Sequence, residues 1–418
     1  MFLSTFLAAG ALLRLATASR IQQPLGADFS PLTTHGPAPD GQDTSVPSWR
    51  NDLLSLHRSL IEIPSISGNE SEAGKFLVDY LTSRGYASHL QFLPPRNLNS
   101  TDEDPRFNVL AWKTNQRQPS PRIVVTSHYD VVPPHIPYAI ADEKITSKTR
   151  ISGRGSVDAK ASIAAQIIAL EDLLSERKVK EEDVLLLFVI GEEDTGDGMR
   201  FFSDSLDKTN PPLKFESVIF GEPTENRLAC GHKGGLFCDI TAKGIAGHSG
   251  YPWLGKSANE VMVKALASIV STDLGSSELF GNTTVNLGQI DGGVAQNVIP
   301  AASLARIAVR VAIGPEKHGG NIVKDRIQKI LEATDAEALD MYCTHGYGVV
   351  EANCEVDGFE TMVANYGTDI PNLKGSHIRY LYGPGSILVA HGRDEALTVA
   401  DLEEAVAGFQ KLILHALQ

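Results

Sequence analysis

The sequence predicts an α/β protein in which a mostly parallel sheet, covered by helices on both faces, is interrupted by a smaller α+β ferredoxin-like domain. Its 418 residues, 42% of them hydrophobic, are too many for one ordinary hydrophobic core and suit two domains. Over most of the chain, apolar runs alternate with helical stretches, as they do in parallel sheets covered by helices. The middle of the chain instead follows the order β-α-β-β-α-β, which is typical of the ferredoxin-like unit.

The boundaries of the two domains follow from this change of pattern. The main domain is expected at residues 48–236 and 346–418, on either side of an inserted domain at residues 237–345. The inserted domain is expected to contain, in order, strand 237–242, helix 257–270, strands 283–290 and 303–313, helix 321–333 and strand 338–342. After it the chain returns to the sheet of the main domain.

The residues before the main domain have no pattern of a folded core. Residues 2–18 form a short apolar run that ends in Ala-Thr-Ala, which is typical of a signal peptide cleavage site. We therefore expect residues 1–18 to be removed, and the mature protein to be secreted and free of the membrane; a buried N-terminal helix is the alternative. Residues 19–47 are rich in proline and lack apolar periodicity, which predicts a disordered tail or propeptide.

Two helices are expected at the start of the main domain. The first is predicted to begin after Ser48, a suitable N-cap, and to end at Pro64. The second is predicted from Ser71 to Arg84, where Gly85 provides the glycine that often ends a helix.

Four apolar strands of the main domain are followed by side chains that can bind a metal. These are strand 123–125 before His128, strand 184–190 before Glu192 and Glu193, strand 218–220 before Glu222, and strand 387–389 before His391. In open α/β sheets, ligands bind at the carboxyl ends of the strands. The four strand ends are therefore expected to meet in one crevice.

Two further acidic residues fit the same crevice. Asp130 stands two residues after His128, a spacing that suits an imidazole ligand oriented by a carboxylate; a strand-end histidine bonded to the backbone is the alternative. Asp158 lies in a glycine loop directly before a predicted helix. A carboxylate at that point could bridge two cations, or could simply cap the helix.

The adjacent pair Glu192 and Glu193 indicates hydrolytic chemistry. One carboxylate can bind a metal while the other faces a metal-bound water, whose pKa the metal lowers to about 7, so that the free glutamate can act as a general base. A solvated turn is the alternative. Two histidines and three carboxylates form the mixed ligand set expected for zinc or a similar divalent ion rather than calcium, and a shared Asp158 would make two sites from five ligands.

Composition and motifs exclude several other classes of protein. The net charge of −14, without a cluster of Lys and Arg, argues against a nucleic-acid partner. The chain has no Gly-x-Ser-x-Gly elbow or His-Glu-x-x-His helix. The glycine-rich segment 244–250 lies outside a strand-turn-helix context and does not indicate nucleotide binding.

Other sequence features agree with a secreted protein. Three triplets of the Asn-x-Ser/Thr type are candidate glycosylation sites, at Asn69, Asn99 and Asn282. One or two disulfides are compatible with the four cysteines, whose pairing the sequence leaves open: Cys230, Cys238, Cys343 and Cys354. For the first two of these cysteines, free buried thiols are the alternative.

Five motifs, in order, resemble those of the M20 metallopeptidase family: HYDVVP, GRGSVDAK, GEED, GEPT and AHGRDE. The likeness extends from Trp49 to Gln418. It implies a catalytic α/β zinc domain interrupted by a dimerisation domain, and hence a chain able to form a homodimer. Within the family, the chain is similar to subfamily A, the group of secreted carboxypeptidases and aminoacylases.

The resemblance also implies roles for the site residues. It places one zinc ion on His128, Asp158 and Glu222, and a second on Asp158, Glu193 and His391. It makes Glu192 the general base and Asp130 the partner of His128. It further implies a cis peptide between Asp158 and Ala159.

In the inserted domain the resemblance implies three more functional residues. His248 is similar to the family histidine that helps to stabilise the oxyanion, often across a dimer. Asn297 and Arg310 resemble substrate-binding residues. Arg310 could form a paired hydrogen bond to a terminal carboxylate; a cross-strand ion pair is the alternative.

The expected function is that of a secreted exopeptidase with two zinc ions, which removes the C-terminal residue of a peptide. An aminoacylase or N-acetyl amino acid deacetylase, acting on N-acyl amino acids, would use the same metal chemistry. A catalytically silent binding protein is the third hypothesis, although such proteins usually lose the base or the ligands.

Overall fold

A computed structural model describes residues 46–95, 105–113, 119–209, 211–344 and 346–418. The predicted signal peptide, the predicted tail up to residue 45 and the glycosylation triplet at Asn99 lie outside the described residues and stay predictions. Within the described residues, no helix has both the length and the apolar character needed to span a bilayer.

The helices of the described residues follow the predicted order. There are seven α-helices: α1 (Arg50–Glu62), α2 (Ser71–Ser83), α3 (Lys160–Ser175), α4 (Asp197–Ser205), α5 (Ala258–Ser271), α6 (Gly319–Asp335) and α7 (Val399–Ala416).

The strands of the described residues, several of them only two residues long, belong to six sheets. In chain order the strands are β1 (Ala87–Phe92), β2 (Phe107–Trp112), β3 (Ile123–His128), β4 (Ala139–Ile140), β5 (Arg150–Ser152), β6 (Val184–Val189), β7 (Ser217–Gly221), β8 (Leu228–His232), β9 (Gly234–Lys243), β10 (Gly247–His248), β11 (Ser276–Ser277), β12 (Gly281–Asn282), β13 (Thr284–Gly292), β14 (Val298–Ile299), β15 (Ala302–Val311), β16 (Leu339–Cys343), β17 (Val350–Glu351), β18 (Thr361–Ala364), β19 (Ile378–Tyr382) and β20 (Ala396–Thr398).

The main sheet has six strands in the order β1-β2-β6-β3-β7-β19. The last four are parallel to one another, whereas β1 and β2 form an antiparallel edge. Successive residues of β6 point to opposite faces. Leu186 and Phe188 pack with α1, α2, α3 and α7, whereas Leu185 and Leu187 pack with α4. The predicted mostly parallel sheet with helices on both faces is confirmed.

The inserted domain has the predicted ferredoxin-like topology. Its sheet is antiparallel, in the order β13-β15-β9-β16, and α5 and α6 share a separate core with it. Its first strand begins at Gly234 instead of Phe237, because the residues before Phe237 continue the pairing of β9 with β15 as far as Val311.

Two local predictions are wrong. Ser48 does not cap α1: the N-cap is Trp49, without a side-chain hydrogen bond, and the N–H of Arg50 donates to the carbonyl of Pro47 at 3.1 Å. Residues 387–389 are not a strand but part of a turn, in which Leu388 is 87% exposed. The last parallel strand is β19, and the chain passes from it to His391 through this turn.

Both pairs of cysteines form disulfides. Cys238 and Cys343 lie opposite each other on β9 and β16, and their bond fixes the edge of the inserted sheet. Cys230 of β8 bonds to Cys354, 124 residues further along the chain. The alternative of free buried thiols is therefore wrong, because the described residues contain no free cysteine.

The buried His57 of α1 makes the stability of the protein depend on pH. Its Nε2–H donates to the carbonyl of Ser156 at 3.0 Å, and burial lowers the pKa of the ring from 6.5 to about 4. The unfolded chain therefore takes up this proton near pH 6.5, whereas the folded chain takes it up only near pH 4. The contribution to the unfolding free energy is complete above pH 6.5 and is lost as the pH falls towards 4.

We expect His57→Gln to make the unfolding free energy less sensitive to acid. The fall between pH 7 and pH 4.5, measured by urea unfolding, should be smaller than in the wild type by about 2–3 kcal/mol. His318→Gln, at an exposed histidine, is the matched control. Equal pH dependence in the wild type and His57→Gln would contradict the lowered pKa.

Candidate metal centre

Three central strands of the main sheet end at one edge and carry four of the predicted site residues. His128 is the last residue of β3, Glu192 and Glu193 follow β6, and Glu222 follows β7. Because β6, β3 and β7 are adjacent and parallel, their carboxyl ends lie side by side. The structure therefore brings together side chains that are far apart along the chain.

Asp158 and His391 reach the same place from loops. Asp158 does not cap α3, because the N-cap is Ala159 and the start of the helix has no side-chain cap. The carboxylate instead faces both imidazoles: Oδ1 is 3.1 Å from Nε2 of His128, and Oδ2 is 3.2 Å from Nε2 of His391. The peptide between Asp158 and Ala159 is cis, as the resemblance implies. Asp158 is thus placed to bridge two cations.

Two groups of three potential ligands share Asp158. One consists of His128, Asp158 and Glu222, and the other of Asp158, Glu193 and His391. Within each group, the nitrogen and oxygen atoms lie within 4.8 Å of one another. These are the two groups that the family resemblance implies, and the identity of their ions stays a prediction.

The donors and their charges fit a pair of divalent cations. Imidazole nitrogens combined with carboxylate oxygens are typical of zinc and similar ions. Burial raises the pKa of Glu222 well above its ordinary value and also raises the pKa of Glu193, because removal from water makes the charged form of a carboxylate less favourable. Oε1 of Glu193 is buried and has no hydrogen-bond partner among the described residues. Cations would offset the charge and accept this oxygen as a ligand.

Asp130 acts on the site differently from the expectation. Its carboxylate Oδ1 is 3.6 Å from Nδ1 of His128, too far for a hydrogen bond, and Nδ1–H donates instead to the backbone carbonyl of Asp130 at 3.0 Å. The carboxylate accepts hydrogen bonds from the backbone N–H groups of Glu192 and Glu193, at 3.2 and 3.4 Å, and from the hydroxyl of Ser67 at 2.6 Å. Asp130 therefore fixes the loop that carries both glutamates.

Glu192 lies beside the ligands but belongs to neither group. Burial raises the pKa of its carboxyl well above the ordinary value, and the charge of Glu222 raises it further; bound cations would act in the opposite direction. Glu192 and Glu193 do lie in a turn and are half-buried as residues, but the Glu193 side chain is only 5% exposed, so the alternative of a fully solvated turn is wrong. Glu192 therefore offers a carboxyl beside both ligand groups that is available for proton transfer.

Arg310 lies on β15 of the inserted domain. The residues opposite it on the neighbouring strands are Thr284 and Gly235, so the alternative of a cross-strand ion pair is wrong. A Cβ at Gly367 would lie 3.6 Å from Nη1 of Arg310 and 2.5 Å from the hydroxyl of Tyr347. The guanidinium and the phenol therefore approach the same stretch of backbone in the main domain.

His248 and Asn297 lie next to each other in the inserted domain. The pairing of β10 with β14 sets His248 opposite Val298, and the N–H of Ser249 donates to the carbonyl of Asn297 at 3.0 Å. Nδ1 of His248 accepts from the N–H of Gly250 at 3.0 Å, which leaves Nε2 to carry the proton of the neutral ring. His248 and Asn297 are both exposed, and each of these two hydrogen bonds joins residues of the inserted domain.

The sequence patterns missed two residues at the site. Asp369 is buried and lines a small cavity together with His128, Glu192 and Glu222. Burial raises the pKa of Asp369 to about 6. Burial and the charge of Glu192 raise the pKa of Tyr347, the second missed residue, to about 12. Both residues lie in irregular segments, where neither an apolar run nor a periodic pattern marks them.

Comparison with known proteins identifies the family of the chain. A model of the peptidase dimerisation domain of the M20 family matches residues 230–338. A Sordaria macrospora protein named "Peptidase M20 domain-containing protein" is 56% identical over 410 residues, which cover 93% of this chain and 90% of the relative. The chain belongs to the M20 peptidase family. It is therefore a hydrolase by family, and its inserted domain is the family's dimerisation domain.

Further known proteins are similar to this chain over most of their length. An Aspergillus oryzae protein named "Probable carboxypeptidase" is 46% identical over 390 residues, or 88% of each chain. Among solved structures, a Staphylococcus aureus tripeptidase has a TM-score of 0.70 at 20% identity, over 88% of this chain and 99% of the other. An M20 metallo-carboxypeptidase from Sulfolobus solfataricus has a TM-score of 0.67 at 17% identity, over 88% and 100%. The two structures show the shared fold.

Proposed function

We propose that this M20 peptidase is a secreted, zinc-dependent carboxypeptidase that removes the C-terminal residue of peptides. The observation that carries the proposal is the pair of ligand groups that share Asp158, with the half-buried Glu192 beside them. Such a site suits hydrolysis of an amide bond. The names of the Aspergillus relatives favour a carboxypeptidase.

Each side chain of the site has a separate role in the proposed reaction. Bound zinc ions would supply a polarised scissile carbonyl and a water that loses its proton near neutral pH. Glu192 accepts the proton of the attacking water and then donates it to the leaving amino group. Asp130 holds the loop of Glu192 in place through two backbone N–H groups. His248, from a second copy of the chain, would donate Nε2–H to the oxyanion.

Arg310 is the proposed partner of the substrate's terminal carboxylate. It is half-buried, has no carboxylate opposite it in the sheet, and approaches Gly367 of the main domain. A guanidinium in such a position can hold a carboxylate through two parallel hydrogen bonds. This contact would distinguish a free C-terminal residue from an internal one.

Arg310→Gln is expected to lower kcat/KM for peptides with a free C-terminus by about 10–100-fold, because a charge-assisted hydrogen bond is lost. The same peptides with an amidated C-terminus should be cleaved equally slowly by the wild type and the variant. Arg306→Gln, at an exposed arginine of the same strand, is the matched control. Equal losses on free and amidated peptides would contradict the carboxylate contact.

A substrate panel tests the proposed activity. Purified protein with zinc is incubated with N-blocked dipeptides, with the same peptides amidated, and with N-acetyl amino acids. Release of the C-terminal amino acid from the blocked dipeptides alone is the expected result. Preference for N-acetyl amino acids would instead make the protein an aminoacylase, and the absence of metal-dependent turnover on every substrate would favour a silent scaffold.

The proposed secretion and dimerisation have tests of their own. Asn69 and Asn282 are exposed, so glycans could be attached to them. The match of residues 230–338 to the family's dimerisation domain favours a homodimer. Expression in the native host should give protein in the medium that begins after residue 18, and that loses mass on treatment with an N-glycosidase. Light scattering should give the mass of two chains.

A further inference from the structure

Arg154 and Glu395 form a buried ion pair between the loop of Asp158 and the turn of His391. Nη1 of Arg154 is 2.5 Å from Oε2 of Glu395, and the two side chains are 2% and 1% exposed. Neither residue belongs to the two ligand groups. A buried ion pair seldom stabilises a fold more than apolar residues of the same size would. The contacts of this pair point to a role beyond stability.

Glu395 holds the loop of Asp158 at several points. Its second carboxylate oxygen, Oε1, accepts hydrogen bonds from the N–H groups of Val157 at 3.0 Å and Asp158 at 3.2 Å. Its backbone carbonyl accepts from the N–H of Gly153 at 3.2 Å and from the hydroxyl of Ser156 at 3.1 Å. The position of the shared ligand therefore depends directly on Glu395.

Arg154 holds the turn of His391. Its Nη2 donates to the carbonyl of His391 and its Nη1 to the carbonyl of Gly392, both at 3.2 Å. His391 has a φ of 63°, a left-handed conformation that residues other than glycine seldom adopt. A backbone in this conformation needs contacts that hold it there, and the guanidinium provides two of them.

The two loops also start from a common strand pair. β5 and β20 are antiparallel, with Ser152 opposite Ala396. Gly153 and Glu395 are the next residues on each side, so the ion pair continues this pairing towards the metal centre. Arg154 reaches across to the His391 turn, and Glu395 reaches across to the Asp158 loop.

We propose that the Arg154–Glu395 pair is a positioning device, which sets Asp158 and His391 relative to each other and so determines the affinity for the cation that these residues share with Glu193. The inference rests on the proposed two-metal function. Partners of metal ligands typically change metal affinity by about 10–100-fold when they are replaced. The other cation would be held by His128, Asp158 and Glu222, none of which belongs to the His391 turn, so its affinity should depend less on Arg154.

The variant Arg154→Lys tests this role. Lysine keeps the positive charge beside Glu395 but lacks the planar fork that bonds two carbonyls and a carboxylate at once. Metal-free protein is titrated with Zn²⁺ in competition with a chromophoric chelator, which gives one dissociation constant for each ion. Arg50→Lys is the matched control, because Arg50 forms a similar ion pair with Glu403 between α1 and α7.

The expected result is selective. In Arg154→Lys the dissociation constant of one ion rises by about 10–100-fold, the other stays within about threefold, and Arg50→Lys binds both ions as the wild type does. Combined with His391→Ala, which removes a ligand of the affected ion, Arg154→Lys should leave the affinity of the remaining ion unchanged. If Arg154→Lys does not fold, Arg154→Gln, whose side-chain amide can still donate to a carbonyl of the His391 turn, takes its place with the same expectation.

Unchanged constants for both ions, or equal weakening of both, would overturn the positioning role. A role in folding alone would lower the unfolding temperature of the metal-free variant without separating the two constants, and would also overturn it. A wild-type protein that binds fewer than two Zn²⁺ ions would instead overturn the proposed function, so the two failures are distinguishable.

Discussion

Glu192→Gln is expected to lower kcat by about 10²–10⁴-fold while both metal ions stay bound. Glutamine has the size of glutamate but cannot accept a proton from water. Because Glu192 belongs to neither ligand group, the loss should concern the proton transfer and leave the metal content unchanged. The measurements are kcat on a blocked dipeptide and the zinc content per chain by mass spectrometry.

The matched control for this variant is Glu181→Gln, at an exposed glutamate before β6. It should keep the kcat of the wild type. A kcat near that of the wild type in Glu192→Gln would remove Glu192 from the mechanism. Loss of zinc in Glu192→Gln would show that the residue is a ligand, contrary to its place beside the two groups.

Asp158→Asn is expected to abolish activity for a different reason. The two carboxylate oxygens of Asp158 face different histidines, so both ligand groups lose a charged donor when one oxygen becomes an amide nitrogen. We expect kcat to fall by more than about 10³-fold and the zinc content to drop for both sites, because a neutral amide is a poor bridge between cations.

Asp142→Asn, at an exposed aspartate, is the control for Asp158→Asn. Circular dichroism of both variants checks that the fold is kept. Two zinc ions in Asp158→Asn, bound as tightly as in the wild type, would contradict a bridging role. Comparison with Glu192→Gln then separates loss of metal from loss of the proton acceptor.

The sequence predicted the parts of the site that depend on strand ends. His128 ends one apolar strand, and Glu193 and Glu222 come shortly after two others, and strand order in a parallel sheet brings such ends together. An apolar run also precedes His391 and predicts a strand there, but this prediction is wrong. In the structure the residues of this run follow Gly383, Pro384 and Gly385 and form a turn, so apolar character alone did not determine their conformation.

The sequence patterns do not predict contacts between residues that are far apart along the chain. Arg154 and Glu395 are 241 positions apart, and their approach depends on the pairing of β5 with β20. The hydrogen bonds of Asp130 to the loop of Glu192 depend in the same way on the adjacency of β3 and β6. Such partners are determined by register, which a single sequence with short, irregular elements does not specify.

The inserted domain leaves the main domain and returns to it at one place. His232 at the end of β8 lies opposite Val350 of β17, and the disulfide between Cys230 and Cys354 fastens the two connections together. The segment between these two connections has a hydrophobic core of its own. A different domain could therefore replace it in a relative without disrupting the main sheet. The choice of subunit partner could thus evolve separately from the hydrolytic chemistry.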